Sequence, residues 1–249
     1  MKEQDLKNAI NQIEISDGAQ SRILEKSKAL TYRKEVKYMK SKKKFALIAV
    51  AATFVLSLTA FAASGLVTNW YSSSSSIPDY KEFPTEQQVI KDMGYAGDMV
   101  KEFSNGYAFK GGSIVDNALQ DDSSNTVEKF KSLSLTYGNG ENEVYLSIDK
   151  YDSEMPETGK PICEYDGITV YASSFTHKII PENYVKSSEE LAAEERGELA
   201  FAYDGENHIV ETQINSVSWM KDGIHYNLMQ MGGELSTQEL AEMAKELVK

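Results

Sequence analysis

The sequence predicts an α+β protein: an antiparallel sheet with a few short helices as an extracytoplasmic domain, joined to a single transmembrane helix and a short helical N-terminal head. Three observations predict it. Residues 45–68 form a run of 24 residues without a charge. The chain before this run is basic, and the chain after it is acidic. Beyond the run, alternating segments separated by Asp-Gly and Gly-Asn-Gly turns are typical of β-hairpins.

Residues 45–68 are long enough to cross a bilayer as one helix. At about 1.5 Å per residue they reach roughly 36 Å, and a hydrocarbon core is about 30 Å thick. The run is apolar all round, whereas a surface helix keeps a polar stripe. Ala60-Phe61-Ala62 also resembles the small-residue site at which a signal peptide is cut. We favour a retained anchor over cleavage after Ala62, because the apolar run continues through Val67.

Charge is divided between the two sides of this run. Residues 1–44 contain twelve Lys or Arg and six Asp or Glu, whereas the chain after the run contains 14 basic and 32 acidic residues. Lys42-Lys43-Lys44 stand directly before the run. The positive-inside rule then predicts a cytoplasmic N-terminus and an extracytoplasmic acidic domain in the cell membrane. A basic run can also contact nucleic acid, but anionic lipid headgroups already explain this one, so no direct nucleic-acid partner is expected.

The head contains two short amphipathic patterns separated by Ser16-Asp17, a pair suited to a helix N-cap. Helices this short are marginal in water unless their apolar faces meet something. They either pack on each other or on the inner leaflet, or they dock a cytoplasmic protein. The residues predicted to make the docking contact are Leu6, Ile10, Ile13, Ile23 and Leu24.

These features divide the chain into four parts. The predicted parts are a cytoplasmic head at 1–44, the transmembrane helix at 45–68, a linker at 69–83 and the extracytoplasmic domain at 84–249. The linker prediction rests on the serine run Ser72–Ser76 followed by Ile77-Pro78, a composition typical of flexible spacers.

Three helices are predicted in the outer domain from their capping residues. Each begins with Ser or Thr followed three residues later by Glu or Gln, the spacing of a capping box. The three pairs are Thr85 with Gln88, Ser187 with Glu190, and Ser236 with Glu239. Gly94 and Gly197 predict the ends of the first two helices. The apolar face of the third is Leu240, Met243, Ala244 and Leu247.

The remainder of the outer domain is predicted as strands joined by tight turns. The predicted strands are 107–109, 113–118, 133–137, 143–148, 162–165, 168–171, 198–203, 209–219 and 224–229. The predicted turns are Gly138-Asn139-Gly140, Asp166-Gly167, Asp204-Gly205 and Asp222-Gly223. Hairpins, rather than regular βαβ crossovers, predict an antiparallel sheet.

No catalytic or cofactor motif is recognisable. His177, His208 and His225 lack the i, i+4 spacing of a helical metal pair, and no HExxH, GxSxG or P-loop sequence occurs. Cys163 is the only cysteine, so an intrachain disulfide is impossible, and we expect a small buried apolar residue rather than a nucleophile. Paired carboxylates are frequent in so acidic a chain and are expected on a solvated face. No enzymatic activity, metal or cofactor is therefore predicted.

The residues Trp219, Tyr226 and Leu228 allow two interpretations. They can form an aromatic binding platform, or they can belong to a core hairpin beneath the last helix. The core hairpin is the favoured interpretation, because apolar residues at alternating strand positions usually face a core.

The C-terminal stretch resembles a known family. Its pattern is a tryptophan strand, a hairpin turn, a Tyr-x-Leu strand and a closing amphipathic helix. The residues that carry it are Ser218-Trp219, Asp222-Gly223-Ile224, Tyr226-Asn227-Leu228, Leu235-Ser236, Glu239-Leu240 and Met243-Ala244. It resembles the extracytoplasmic domain of unknown function found in single-pass membrane proteins of Gram-positive bacteria. Some of these are anti-sigma-factor-like, and many lie beside extracytoplasmic-function sigma factors.

The resemblance implies a sigma factor as the cytoplasmic partner and carries over no catalytic or ligand residue. The best-known anti-sigma pattern has a zinc-binding His and Cys-x-x-Cys, and residues 1–44 contain neither histidine nor cysteine. Any contact with a sigma factor would therefore be zinc-free and built from the two short helices.

We therefore expect a single-pass membrane-anchored regulator with an outer sensing or binding domain and a cytoplasmic docking head. The alternative is an envelope-exposed binding or structural module, anchored or secreted through the same segment, with no signalling role. The patterned head favours the regulator, because anchoring alone does not require it.

Overall fold

One sheet of nine strands organises the described part of the chain, which the computed structural model gives as residues 69–75, 77–121, 125–151, 159–181, 183–204 and 209–248. The strands are β1 (Asn69–Ser74), β2 (Ala108–Gln120), β3 (Thr126–Asn139), β4 (Asn142–Asp149), β5 (Lys160–Tyr165), β6 (Ile168–Pro181), β7 (Leu199–Asp204), β8 (Val210–Lys221) and β9 (Ile224–Met231). The helices are α1 (Glu86–Met93), α2 (Ser188–Glu195) and α3 (Thr237–Val248).

The strands lie in the order β1-β2-β3-β4-β9-β8-β6-β5, and β7 also pairs with β6. Every neighbouring pair is antiparallel except β6 and β7. The predicted α+β class, an antiparallel sheet with a few short helices, is confirmed for the described residues.

The helices begin where their capping residues predict. At the start of α1, Gln88 N donates to Thr85 Oγ1 over 3.3 Å and Thr85 N donates to Gln88 Oε1 over 2.8 Å. Ser187 with Glu190 and Ser236 with Glu239 make the same reciprocal pairs. Gly94 ends α1 with φ at 87°, a left-handed conformation that costs glycine little.

Two hairpin turns are set by Asp-Gly pairs. Asp166 and Gly167 have φ angles of 48° and 79°, and Asp222 and Gly223 have 52° and 73°. Two successive positive φ angles define the type I′ turn, whose twist matches that of paired strands. The predicted β5–β6 and β8–β9 hairpins are confirmed.

The main core lies between one face of the sheet and the helices, and we call this side the helix face. Val144, Leu146 and Ile148 of β4 are fully buried there, as predicted from their alternation. Helix α3 packs over β5, β6, β8 and β9. Its four predicted apolar residues all lie in the same core cluster as these strands.

The segment predicted as a linker, 69–83, begins with a strand. Residues 69–74 form β1, which pairs antiparallel along β2 from Asn69 opposite Gln120 to Ser74 opposite Val115. Tyr80 is 8% exposed and exchanges backbone hydrogen bonds of 2.9 Å with Gly112. A serine-rich segment joins the sheet here because β2 offers it an unpaired edge, and backbone pairing needs no particular side chain.

The strands predicted on either side of Asp204-Gly205 are not paired with each other. β7 lies parallel to β6, with Thr176 opposite Leu199, and β8 occupies the other edge of β6. Helix α2 makes the crossover that a parallel pair requires. The fold thus contains one βαβ unit that the hairpin pattern did not predict. Of the predicted turn Asp204-Gly205, Asp204 is the last residue of β7 and Gly205 lies outside the described residues.

Within the described residues, no helix is long and apolar enough to cross a membrane. The predicted span at 45–68 and the predicted head at 1–44 both lie outside those residues.

Candidate binding face

The sheet has a second face, opposite the helix face, and we call it the second face. Along β3 the side chains alternate: Leu133, Leu135 and Tyr137 belong to the core under the helices, whereas Ser132 and Ser134 point the other way. The core cluster that contains α3 takes its residues from the helix face. Because α1 and α3 both contribute residues to this cluster, neither of these two helices packs on the second face.

Six polar residues form a straight line across this face, and we call them the serine row. Strand register places each directly opposite the next on the neighbouring strand. In strand order, β2-β3-β4-β9-β8-β6, the row is Ser113, Ser134, Ser147, Asn227, Ser218 and Tyr171. With strands about 4.8 Å apart, the row is about 24 Å long and runs perpendicular to the strands.

Bulkier side chains flank the middle of the row. The neighbouring line on one side, which we call the upper flank, is Thr136, Tyr145, Met229, Ser216 and Ser173. The line on the other side, which we call the lower flank, is Ser132, Asp149, His225 and Met220. Tyr145 and Met229 stand on one side of Ser147 and Asn227, and Asp149 and His225 stand on the other. The small row residues thus form the floor of a shallow trough.

The polar groups of the row are mostly unpaired within the described residues. Among its members, Ser147 donates to Asp149, whereas the side chains of Ser134, Asn227 and Ser218 have no hydrogen-bond partner there. Ser218 is 2% exposed. Buried hydroxyl and amide groups in native proteins are nearly always hydrogen-bonded. An unpaired line of them therefore indicates a surface that meets water or a polar ligand.

The hydroxyls of the row are not sealed inside protein. Among the side-chain nitrogen and oxygen atoms of the described residues, Trp219 Nε1 is the one that is fully enclosed and unpaired. It belongs to the opposite, helix face. Ser216 of the upper flank is also 8% exposed and unpaired in the described part of the chain. The Ser218 and Ser216 hydroxyls therefore keep a small exposed area on the second face.

A carboxylate and an imidazole lie at the lower flank. Asp149 is 5% exposed and accepts from Ser147 Oγ over 3.1 and 3.2 Å, and its Oδ2 lies 3.5 Å from His225 Nδ1. A serine nucleophile needs its hydroxyl directed at the imidazole, which removes the proton. Here the hydroxyl is directed at the carboxylate instead. The cluster therefore orients side chains, and its geometry is unsuited to nucleophilic catalysis.

Burial keeps other titratable groups of this face neutral. Burial, and then the hydrogen bond to Glu143, raise the pKa of Tyr145 to about 12. Burial also lowers the pKa of His177, which lies on the second face in β6, below its ordinary value of 6.5. In both cases the environment favours the uncharged form of the side chain. The second face around the row and its upper flank carries hydroxyl, amide, aromatic and thioether groups.

Two open clefts on the helix side are occupied by structural contacts. One, of about 650 Å³, lies beside α3, where Ser104 N and Oγ donate to Glu246. The other, of about 510 Å³, contains the Lys221–Asp98 ion pair at 2.8 Å. In each cleft, part of the polar lining is therefore already engaged in a contact that holds a loop to the rest of the domain.

The favoured interpretation of Trp219, Tyr226 and Leu228 as a core hairpin beneath the last helix is confirmed, and the alternative of an aromatic platform is wrong. Trp219 and Leu228 are fully buried and Tyr226 is 1% exposed, beneath α3. Cys163, expected to be buried, is half-buried at the margin of the core.

The other predicted sites divide between described and undescribed residues. The docking residues Leu6, Ile10, Ile13, Ile23 and Leu24 lie outside the described residues. Among the described residues, no group of three or more His, Cys, Asp or Glu side chains is arranged to hold a metal ion.

Sequence reasoning missed the serine row, although part of its signal is visible. The segment Ser132-Leu133-Ser134-Leu135 alternates small polar and apolar residues, which places its serines on one face of a strand. What the sequence does not reveal is the register that brings serines of four strands into one line with Asn227 and Tyr171.

Comparisons with protein-family models, with curated proteins and with solved structures gave no match to this chain.

Proposed function

We propose that the protein is a single-pass membrane regulator. Its outer domain binds an envelope ligand on the second face, and its N-terminal head docks a cytoplasmic protein such as a sigma factor. The observation that carries the proposal is the serine row, a line of unpaired polar groups on a domain whose other face is committed to its core. Such a surface suits recognition, because a ligand supplies the missing hydrogen-bond partners.

The charge division of the chain supports the orientation. Twelve basic residues precede the apolar run, and the chain after it is strongly acidic. The positive-inside rule places the head in the cytoplasm and the sheet domain outside. Ligand binding and partner docking then occur on opposite sides of the membrane, which is the arrangement a regulator needs.

The position of β1 supports coupling between the two sides. β1 begins at Asn69, one residue after the predicted end of the span, and it is paired with β2 over its whole length. The sheet therefore begins directly after residue 68, with no linker residues between them. A change in the position of the sheet is therefore passed to the span directly, or it alters access of a protease to the segment before Asn69.

The anchored module without signalling remains the second candidate, and one observation favours it. The sheet domain has its own core and its own candidate binding face, and both lie between residues 69 and 248. It can bind a ligand whatever the head does. The two candidates therefore differ in what the head contributes.

The test compares transcript profiles of three strains. One lacks the gene, and one carries the full chain with Leu6→Ser, Ile10→Ser and Ile13→Ser. The third carries Asn8→Ser and Asn11→Ser as a control at polar positions of the same predicted helix. The regulator predicts that the apolar triple variant reproduces the transcript changes of the deletion while its membrane abundance stays normal. The polar variant should behave as wild type. A deletion without transcriptional effect, or a triple variant identical to wild type, contradicts the regulator and leaves the module.

A further inference from the structure

We propose that the serine row binds a neutral, linear glycan that lies across the strands. The inference rests on the proposed function only in placing the domain in the envelope, where such polymers occur. The inference is carried by two serines of β8 that face the trough, Ser218 and Ser216. Ser218 is 2% exposed and Ser216 is 8% exposed, and neither hydroxyl has a hydrogen-bond partner in the described part of the chain.

Hydrogen-bonding chemistry favours a ligand rich in hydroxyl and amide groups. Serine and tyrosine hydroxyls both donate and accept, and the Asn227 amide offers two donors and an acceptor. A ligand that only accepts or only donates would leave half of this capacity unused. Sugar hydroxyls and acetamido groups do both, so they can satisfy Ser134, Asn227 and Ser218 together. Leaving such groups unpaired in a closed interface would cost about 1–3 kcal/mol each.

The direction and length of the row favour an extended polymer. The row crosses six strands over about 24 Å, so it is too long for one small molecule to fill. An extended peptide commonly binds by pairing its backbone with a sheet edge. The row lies in the middle of the face, where the backbone groups already belong to the sheet. A polymer that is bound through its hydroxyl and amide substituents fits the middle of the face better than a peptide that must pair its backbone with a sheet edge.

Charge disfavours a polyanion. The row and its upper flank contain no Lys, Arg, Asp or Glu. The chain after residue 68 contains 32 acidic and 14 basic residues, so its field repels teichoic acids, nucleic acids and anionic lipid surfaces. Asp149 of the lower flank adds to that repulsion. A neutral polymer is recognised without this cost.

Aromatic rings lie where sugar rings can stack. Tyr145 is beside the row on β4, Tyr171 ends it on β6, and Phe175 lies on the same face further along β6. All three are half-buried, so part of each ring is accessible. A Tyr ring offers an apolar face together with a polar tip, which matches the C–H face and the hydroxyl rim of a sugar.

The test is calorimetric titration of the detergent-solubilised full chain with the β-1,4-linked hexamer of N-acetylglucosamine. The row variant is Ser134→Ala with Asn227→Ala, which removes a hydroxyl and an amide from the row. The matched control is Ser188→Ala with Gln238→Ala, which removes the same groups from exposed helix positions. We expect binding by wild type and control, and roughly tenfold weaker binding by the row variant. Equal urea midpoints for all three proteins show that folding is intact.

Three results would overturn the proposal. These are a wild type that does not bind the hexamer, a row variant that binds as tightly as wild type, and a protein that prefers polyglutamate or vesicles of phosphatidylglycerol over the hexamer. If the row variant unfolds, Tyr171→Ala at the end of the row replaces it, with the same expectation. The transcript test measures the contribution of the N-terminal head, and this titration measures ligand binding by the serine row. Glycan binding without a transcriptional effect therefore contradicts only the proposal that the protein is a regulator. A transcriptional effect without glycan binding contradicts only the proposal that the row binds a glycan.

Discussion

Trp219 and Tyr226 stack across the β8–β9 pair with their ring planes 3° apart and their centroids 5.0 Å apart. Tyr226 also accepts a hydrogen bond of 2.9 Å from Asp98 N, which ties the loop before β2 to the core. The loop is held again by Tyr137, whose hydroxyl donates to Val100 O over 2.9 Å. Two buried tyrosines thus fasten an irregular segment onto the helix face.

Removing the Tyr226 hydroxyl should destabilise the domain. Tyr226→Phe leaves the Asp98 N–H without its acceptor, and a lost hydrogen bond of this kind costs about 1–2 kcal/mol. Urea unfolding of the full chain, followed by tryptophan fluorescence, measures the change. Tyr171→Phe is the matched control, because the Tyr171 hydroxyl has no partner among the described residues. Equal losses from both variants would contradict the fastening role of Tyr226.

Gly97 allows the same loop to lie close to the core. A β-carbon at Gly97 would stand 2.6 Å from Ile148 Cγ2 and 2.7 Å from Tyr226 Oη. We expect Gly97→Ala to lower the free energy of unfolding by about 1–3 kcal/mol, because both neighbours are packed. At Gly111 the nearest atoms to an added β-carbon are 3.6 Å away, so Gly111→Ala should leave the urea midpoint nearly unchanged. A tolerated Gly97→Ala would show that the loop can move away from the core.

The ion pair that holds α2 to the sheet should make stability depend on pH. Lys178 Nζ lies 2.8 Å from Glu190 Oε1, and the Tyr184 hydroxyl donates to the same oxygen over 2.6 Å. These bonds lower the pKa of Glu190 from its ordinary 4.5 to about 2. Because the folded pKa is the lower one, the stabilisation is present above pH 4.5 and is lost as the pH falls towards 2.

Glu190→Gln tests this dependence, because the amide cannot titrate. Between pH 5 and pH 2.5 (roughly the window between the two pKa values), the urea midpoint of wild type should fall further than that of Glu190→Gln. Glu189→Gln is the neighbouring control, at an exposed position without an ion pair in the described residues. Parallel pH profiles for wild type and Glu190→Gln would show that this carboxylate does not supply the pH dependence.

Single-cysteine labelling tests the predicted orientation. Cys163 is the only cysteine, so Cys163→Ser gives a chain without thiols. Val185, 87% exposed before α2, then accepts a cysteine with little effect on folding, and Lys2 accepts one in the head. In intact cells, an impermeant maleimide should label Val185→Cys and leave Lys2→Cys unlabelled until the membrane is opened. The opposite pattern would reverse the predicted topology.

Labelling also distinguishes the anchor from a cleaved signal peptide. A retained anchor predicts that Lys2→Cys and Val185→Cys chains have the same mass in the membrane fraction. Cleavage after Ala62 predicts that the Val185→Cys product is shorter and has lost the head. Mass spectrometry of the labelled chains separates the two outcomes.

Local elements were predictable because their signals lie within a few residues. The capping pair Ser187 and Glu190 is three residues apart, and a helix starts there in the structure. The Asp222-Gly223 pair alone specifies the turn between β8 and β9. In each case the interacting atoms belong to neighbours in the chain, so no knowledge of the fold is required.

Strand pairing was less predictable, because it depends on which edges remain free in the assembled sheet. β4 joins β9 through pairs such as Leu146 with Leu228, which are 82 residues apart in the sequence. β7 follows α2 to a free stretch of the β6 edge instead of folding back on β8. Backbone groups pair with any available edge, so the pattern of side chains along one strand does not identify its partner.

The sequence by itself determined the three capped helices, two Asp-Gly hairpins and the alternation that separates core from second face, and it predicts a membrane topology. Only the tertiary structure decided that 69–74 is an edge strand, that Trp219 is core, and that Ser134, Asn227 and Ser218 share one line. The physical reason is the separation along the chain of the residues that interact. Capping, turn geometry and alternation are set by adjacent residues, whereas register is set by packing between segments that are distant in the chain.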